Sequence, residues 1–249
     1  MNNYLIQIKE KGFEAFFVGG YVRDKLLQKQ TFDIDVATNA SLEDLKVIFK
    51  EKKYSINDWC LTMTEGSYSI QITPYRMEED YLDYRHPKVI KKVDTILEDS
   101  KRRDFTINAL YQDENGKIYD FYHGIDHIKN KKLVMIGDPF KRIEEDPLRI
   151  LRALRFSSID NLSIDSDLEN AILTHKDKLW KVSYFRKKQE LEKIYLYGDI
   201  DIIRKYHLQE YFHLNQNYQK KNNIYEFWKQ VDIKYYPFTK EEIKKIEET

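Results

Sequence analysis

The run FFVGGYVRDKLL, Phe16 to Leu27, is followed within a few residues by DIDVAT. Two adjacent glycines between a strand-like and a helix-like segment, in a chain with only 8 glycines, require a tight strand-to-helix turn. Glycine reaches φ > 0 there and lets the backbone approach another group closely. A helix opening just behind the pair aims N–H groups and a positive dipole end at that group, which suits a phosphate. Taken alone, Gly19 and Gly20 specify a turn and no more. Asp33 and Asp35 sharpen the constraint. They stand two apart in a β-like run, so both carboxylates project from one face. Like charges that close resist burial unless a cation lies between them. Mg²⁺ prefers carboxylate oxygens and completes its shell with water and substrate phosphates. Two such ions ~4 Å apart can activate an attacking hydroxyl and stabilise a leaving oxygen. The competing account of the bare pair is a solvated strand face.

Periodicity divides the chain. Phe13 to Val18, Phe32 to Ala37, Ser67 to Tyr75 and Lys117 to Phe121 read as strands. Tyr21 to Leu27, Leu42 to Lys50 and Asp104 to Leu110 read as helices between them. From about Glu144 the strand signals fade. Asp146 to Phe156, Asp165 to His175, Tyr184 to Leu196 and Ile200 to Lys205 are helical in pattern. Gly137-Asp138-Pro139 marks the junction. The pattern predicts an α+β protein: an α/β head over residues 1–137, then an all-helical part over 138–249.

The 249 residues suffice for two units. Lysine plus arginine equals aspartate plus glutamate, 42 each, so any basic surface is local. Cys60 is the only cysteine, which excludes a disulfide framework and a cysteine zinc site. No apolar run approaches the ~20 residues of a membrane span, and MNNYLIQIKEKG lacks a signal-peptide pattern. A cytoplasmic protein with no membrane partner is expected.

GGYVRD followed by DIDVAT resembles the nucleotidyltransferase motif of the bacterial and eukaryotic (class II) tRNA nucleotidyltransferase and poly(A) polymerase family, and further motifs extend the resemblance. KRRDFTINAL, Lys101 to Leu110, is similar to the family's RRDFTINA. Arg102 and Arg103 are planar donors suited to phosphate oxygens. Asp104 and Asn108 lie four apart, and in the family this motif reads the ribose 2′-hydroxyl. Without the resemblance, Asp104 would be a helix N-cap. DFYHGIDHI, with Asp120, Gly124 and Asp126, resembles the segment joining head and neck, where a structural or hinge role is expected.

EEDPLRILRALRF, Glu144 to Phe156, resembles the EDxxR motif. Asp146 before Pro147 also reads as an N-cap with proline at the first helical position. Arg149, Arg152 and Arg155 recur every three residues as a cationic side, beside Leu148, Leu151 and Leu154, and all three arginines are candidate nucleotide contacts. The family's Asp and Arg of this motif pair with the incoming base, which assigns that role to Asp146 and Arg149. A carboxylate accepts from the exocyclic amine of cytosine or adenine, and a guanidinium donates to the neighbouring ring nitrogen. Glu145 is expected to position Arg149, four residues on. SYFRKKQELEKI resembles the family's S-x-E-R-x-x-x-E-L helix, with Phe185 where glutamate is usual, and is expected to be neck scaffold. Arg186 and Glu190 there are spaced to pair with each other. DYRHPKV resembles the family's mobile loop and makes Arg85 a candidate RNA contact. Lys187, Lys188, Lys220 and Lys221 are candidate phosphate contacts.

The resemblance spans about residues 13 to 200 and implies a polymerase-β-like nucleotidyltransferase head, a helical neck and a short helical C-terminal part. It departs from the family twice: Gln71 stands where a glutamate is usual, and family members usually continue well beyond this length. The implied activity is template-independent addition of CCA to the 3′ end of tRNA from CTP and ATP, with two Mg²⁺ ions and release of pyrophosphate. In that scheme Asp33 and Asp35 hold the metals, and Gly19, Gly20 and Arg23 manage the triphosphate. Asp104 with Asn108 reads the ribose. Poly(A) synthesis and CC-only or A-only addition share these motifs, and an RNA-binding relative without turnover is the non-enzymatic alternative.

Overall fold

The computed structural model describes residues 3–57, 59–81 and 87–249. The chain divides into two compact units. The first comprises Met1–Asp80, Pro87–Asn130 and Val134–Gly137; the second is chiefly Lys131–Leu133 and Asp138–Thr249.

In the first unit the order is α1 (Asn3–Lys9), β1 (Ala15–Val18), α2 (Gly20–Leu26), β2 (Asp33–Thr38) and α3 (Leu42–Ile48). Then come β3 (Tyr54–Asn57), β4 (Cys60–Glu65), β5 (Tyr68–Pro74), β6 (Arg76–Tyr81) and β7 (Pro87–Lys92). The unit ends with α4 (Ile96–Ser100), β8 (Leu110–Gln112), β9 (Ile118–Asp120) and α5 (Gly124–Lys129). A seven-stranded mixed sheet runs β3-β4-β5-β2-β1-β8-β9, and β6 with β7 forms a separate ribbon. β2 pairs parallel with β5, and β1 pairs antiparallel with β2 and β8.

Strand alternation gives the sheet two faces. Ile34, Val36, Ile70 and Ile72 join one core with Leu5, Ile8, Val22 and Leu45 from the helices. Phe16, Val18, Ala37, Tyr75 and Tyr111 form a smaller cluster on the other. Asp33 and Asp35 alternate with Ile34 and Val36, so they stand on the second face, at the start of β2.

RRDFTINAL does not form the helix its spacing predicts. Only Thr106–Asn108 makes a 3₁₀ turn, and the chain then enters β8. Asp104 Oδ1 accepts the Phe105 N–H at 2.8 Å and the Asn108 side-chain amide at 3.0 Å. Such short side-chain bonds compete with helical continuation, and pairing of β8 with β1 settles the outcome. β3 and β4 escape the pattern reading because β3 is exposed at three of its four positions and β4 buries only Leu61 and Met63, a signal two residues long.

Asp120 earns a structural role. Its carboxylate accepts the N–H groups of Tyr122, Gly124 and Ile125, at 3.2, 2.9 and 2.9 Å, and so caps α5. At Gly124 a Cβ would lie 2.4 Å from the Thr106 carbonyl oxygen. Gly124→Ala should therefore cost about 1–3 kcal/mol, at the upper end because the obstacle is backbone. A denaturant melt of the variant against the parent checks it.

The second unit holds β10 (Lys132–Leu133), α6 (Pro139–Glu145), α7 (Leu148–Asp160), β11 (Ser163–Ile164), α8 (Ser166–His175) and α9 (Tyr184–Tyr197). Shorter helices α10 (Ile202–Lys205), α11 (Ile224–Trp228) and α12 (Lys240–Glu248) follow. The Gly137-Asp138-Pro139 signal is the start of α6: Asp138 caps it, with Pro139 in the first turn. The apolar row Leu148, Leu151 and Leu154 is buried, and α7 packs on α9. No helix among the described residues is long and apolar enough to cross a membrane.

Candidate active site

In the first unit the glycine turn, the acidic strand and the arginine pair meet. Gly19 has φ 71 and ψ −135, a conformation an L side chain rarely adopts. A Cβ at Gly19 would lie in ordinary contact, 3.4 Å from Asp35 Oδ2 and 3.7 Å from Arg103 Nη1, so it is the positive φ, not space, that calls for glycine beside these two groups. Asp33 is exposed and Asp35 half-buried. Burial raises the proton affinity of Asp35; Arg103 opposes it and Asp33 adds to it. In register beside them, Ser69 pairs with Asp33 and Gln71 with Asp35.

This donor set fits Mg²⁺. Among the described residues no group of three His, Cys, Asp or Glu side chains is placed to hold a metal, which disfavours a closed protein cage such as structural zinc needs. Two carboxylates on one face are what a hard octahedral cation takes, with phosphate oxygens and water completing its shell. Asp33 and Asp35 would hold it.

Arg23 is buried. Its Nη1 donates to Asn108 Oδ1 at 2.5 Å and its Nη2 to Asp24 at 2.7 Å. Asn108 in turn donates to Asp104. Three residues expected to touch nucleotide thus form one hydrogen-bonded chain, Arg23–Asn108–Asp104. Arg102 and Arg103 share a partner that the sequence reading passed over, Asp99. Arg102 Nε and Arg103 Nη2 each reach its carboxylate at 2.9 Å. Burial alone would raise the Asp99 pKa; the two guanidiniums hold it well below the ordinary carboxylate range. The i,i+3 and i,i+4 spacing to two arginines was the available signal.

In the second unit Asp146 Oδ1 accepts the Leu148 N–H at 3.0 Å, so it does cap the start of α7. The same carboxylate takes a two-pronged contact from Arg186, at 3.1 and 2.7 Å. Arg149 is buried and pairs with Glu145 at 2.8 Å. Arg155 Nε meets the buried Glu190 at 2.6 Å and lies over the Phe156 ring; Arg152 also faces that ring. Arg186 and Glu190, spaced to pair with each other, instead bind Asp146, just before α7, and Arg155 within it. The tertiary partners win because they offer the fork geometry of Asp146 and a desolvated site for Glu190.

Two expected phosphate contacts are corrected. Lys187 is fully buried, with Nζ donating to the Tyr211 carbonyl at 2.9 Å and lying 4.3 Å from the Tyr184 ring centroid. Lys188 is buried too and pairs with Glu242 at 2.5 Å. Both sit on the inward side of α9, so neither offers a surface ammonium. Lys220 and Lys221 are exposed. Arg85 lies outside the described residues.

The Lys187 burial has a measurable consequence. Desolvation lowers its pKa to about 8 from an ordinary ~10.4. Between those values the unfolded chain holds more protons than the folded one, so stability rises with pH. Stability should therefore increase from about pH 8 towards ~10, by up to about 3 kcal/mol, and Lys187→Met should lack the increase. Urea melts at three pH values test this.

Residues 15–134 match the family model described as the Poly A polymerase head domain. The CCA-adding enzyme of Streptococcus uberis is 40% identical over 193 residues, 77% of this chain and 48% of its own length. That of Lactobacillus helveticus is 41% identical over 188 residues, 75% of this chain and 47% of its own. The chain thus spans about half the length of the curated relatives it matches. Among solved structures, the Bacillus stearothermophilus CCA-adding enzyme in complex with CTP superposes with a TM-score of 0.74 at 31% identity, covering 84% of this chain and 52% of that one. The Thermotoga maritima CCA-adding enzyme complexed with tRNA shares the fold, with a TM-score of 0.74 at 21% identity over 99% of this chain and 68% of that one. With its GG turn, acidic strand and RRD segment on this frame, the chain carries a Poly A polymerase head domain over residues 15–134 and is similar over about three quarters of its length to CCA-adding enzymes.

Proposed function

We propose that the chain adds C and A, from CTP and ATP, to the 3′ end of tRNA without a nucleic-acid template, as a protein of the cytoplasm. The observation that carries this reading is Asp33 and Asp35 on one face of β2, with Asp35 beside Gly19 and Arg103. The RNA 3′-hydroxyl attacks the α-phosphorus and gives up its proton to solvent, the bond to the β-bridging oxygen breaks and pyrophosphate leaves. Mg²⁺ held by Asp33 and Asp35 would supply Lewis-acid stabilisation to this transfer. The chain's own work is positioning and charge. The Gly19-Gly20 turn lets the triphosphate approach the backbone, and Arg102 and Arg103 bind its oxygens. Asp104, held by Asn108, accepts from the ribose hydroxyl.

Asp146 and Arg149 provide the acceptor and donor that cytosine and adenine match. Uracil and guanine present a carbonyl where the amine should be, which leaves polar groups unpaired. Arg186, by holding both Asp146 oxygens, fixes the direction of that acceptor. Lys220 and Lys221 are left as the described lysines of the original set able to meet RNA phosphates.

One incubation tests the reading: tRNA ending at the discriminator base, Mg²⁺, and each NTP alone or mixed. Addition limited to CCA is the expected result. Long A tracts would identify a poly(A) polymerase, addition stopping at CC or confined to a terminal A would identify a partial enzyme, and binding without extension would identify an RNA-binding relative.

A further inference from the structure

Asp99 closes α4 and is fully buried. Four donors converge on its carboxylate. Oδ1 accepts from Arg102 Nε at 2.9 Å and from the Arg76 backbone N–H at 3.2 Å. Oδ2 accepts from Arg103 Nη2 at 2.9 Å and from the Tyr111 hydroxyl at 2.6 Å. Tyr111, on β8, is fully buried. Its hydroxyl oxygen also accepts from Arg103 Nε at 2.8 Å, and the guanidinium lies 5.0 Å from its ring centroid. Two of the three Arg103 nitrogens are thereby fixed by one carboxylate and one phenol. The third, Nη1, is the one nearest Gly19.

A guanidinium on a flexible stem loses side-chain freedom when it binds an anion, and prior anchoring removes part of that cost. The anchor is also specific in direction, because the planar fork cannot turn without breaking both bonds. Asp99 alone would leave Arg103 free to pivot about Nη2. The Tyr111 hydroxyl removes that freedom and is itself oriented by Asp99.

We propose that Asp99 and Tyr111 are positioning residues that clamp Arg103 so that its Nη1 edge faces the β- and γ-phosphates of the incoming nucleotide. This rests on the nucleotidyltransferase reading above and deepens it. Neither residue touches substrate; both act through Arg103. The same carboxylate holds Arg102, so the pair of arginines is set by one buried acid.

The test is calorimetric binding of CTP and of CMP, each with Mg²⁺, to the full chain and to Tyr111→Phe, Asp99→Asn and Arg103→Lys. Tyr111→Phe keeps the ring and its packing, so it remains informative if Asp99→Asn fails to fold. The expected result is about tenfold weaker CTP binding in Tyr111→Phe with CMP binding unchanged, and no further loss when Tyr111→Phe is added to Arg103→Lys. Equal weakening of both nucleotides, or an undiminished Tyr111→Phe effect in the Arg103→Lys background, would show a merely structural role and overturn the proposal. Unchanged CTP binding in a folded Tyr111→Phe overturns it while leaving the functional reading intact. Failure of the parent chain to bind CTP overturns both.

Discussion

Asp35→Asn should abolish nucleotide addition, by on the order of a thousandfold or more, while the metal-free protein melts no lower than the parent. A thousandfold fall is about 4 kcal/mol of transition-state stabilisation, a reasonable share for one of two carboxylates that bring the charge-neutralising ions. The stability half follows from the surroundings of Asp35. Burial disfavours its anion, and Asp33 repels it two residues away on the same face. Arg103, Arg23 and Arg102 offset this without cancelling it. Replacing the anion with a neutral isostere therefore relieves a cost that the fold otherwise carries for function. Asp33 is exposed, so Asp33→Asn should show the same loss of activity with a smaller gain in stability. A primer-extension assay reads the first effect and a thermal melt in chelator the second. Surviving extension would remove these acids from the active site; a markedly lower melting point would mean that the Asp35 charge holds the fold together.

Much of this site was legible before any coordinates. The doubled glycine, the DxD spacing and the RRD segment each carry a local constraint: a turn, a face and a charge. Those constraints survive folding because β2 keeps its alternation and Gly19 takes a backbone conformation few other residues accept. What pattern could not supply was partnership. Arg186 and Glu190 have the spacing of a helical ion pair, yet the packing of α7 on α9 gives each a different counter-ion. Lys187 reads as one of two adjacent surface lysines, but the phase of α9 turns it inward. Asp104 to Leu110 has a helical spacing, yet side-chain bonds from Asp104 and the sheet partner of Leu110–Gln112 redirect it. In each case the missing information was a residue more than twenty positions away, or a competing local hydrogen bond, neither of which periodicity records. The Asp99 cluster is intermediate: its helical spacing to Arg102 and Arg103 was visible, while Tyr111 was not.

Asp146→Asn should relax base selection more than it harms the fold. The side chain does three things at once: Oδ1 caps Leu148, both oxygens hold Arg186, and the carboxylate is the proposed acceptor for an exocyclic amine. Asparagine keeps one acceptor, enough for the cap or for one prong of Arg186. The pair is only partly buried, so losing its charge should cost ~1 kcal/mol. The effect on selection is larger because an acceptor becomes a donor. The amide N–H₂ now opposes the amine of C and A and complements the carbonyl of U and G. A site that rejects a ligand by leaving groups unpaired can discriminate by ~10⁴-fold or more. Reversing one group should therefore lower the preference for CTP over UTP by at least ~10²-fold. Arg186→Lys separates the direct role from the positioning one. It keeps the charge beside Asp146 but loses the two-pronged grip, so it should slow CTP and ATP incorporation with only a small gain for UTP and GTP. Single-turnover incorporation of each NTP gives both ratios. If Asp146→Asn keeps the parent's preference at reduced rate, the carboxylate serves the α7–α9 junction alone and base selection lies with other groups.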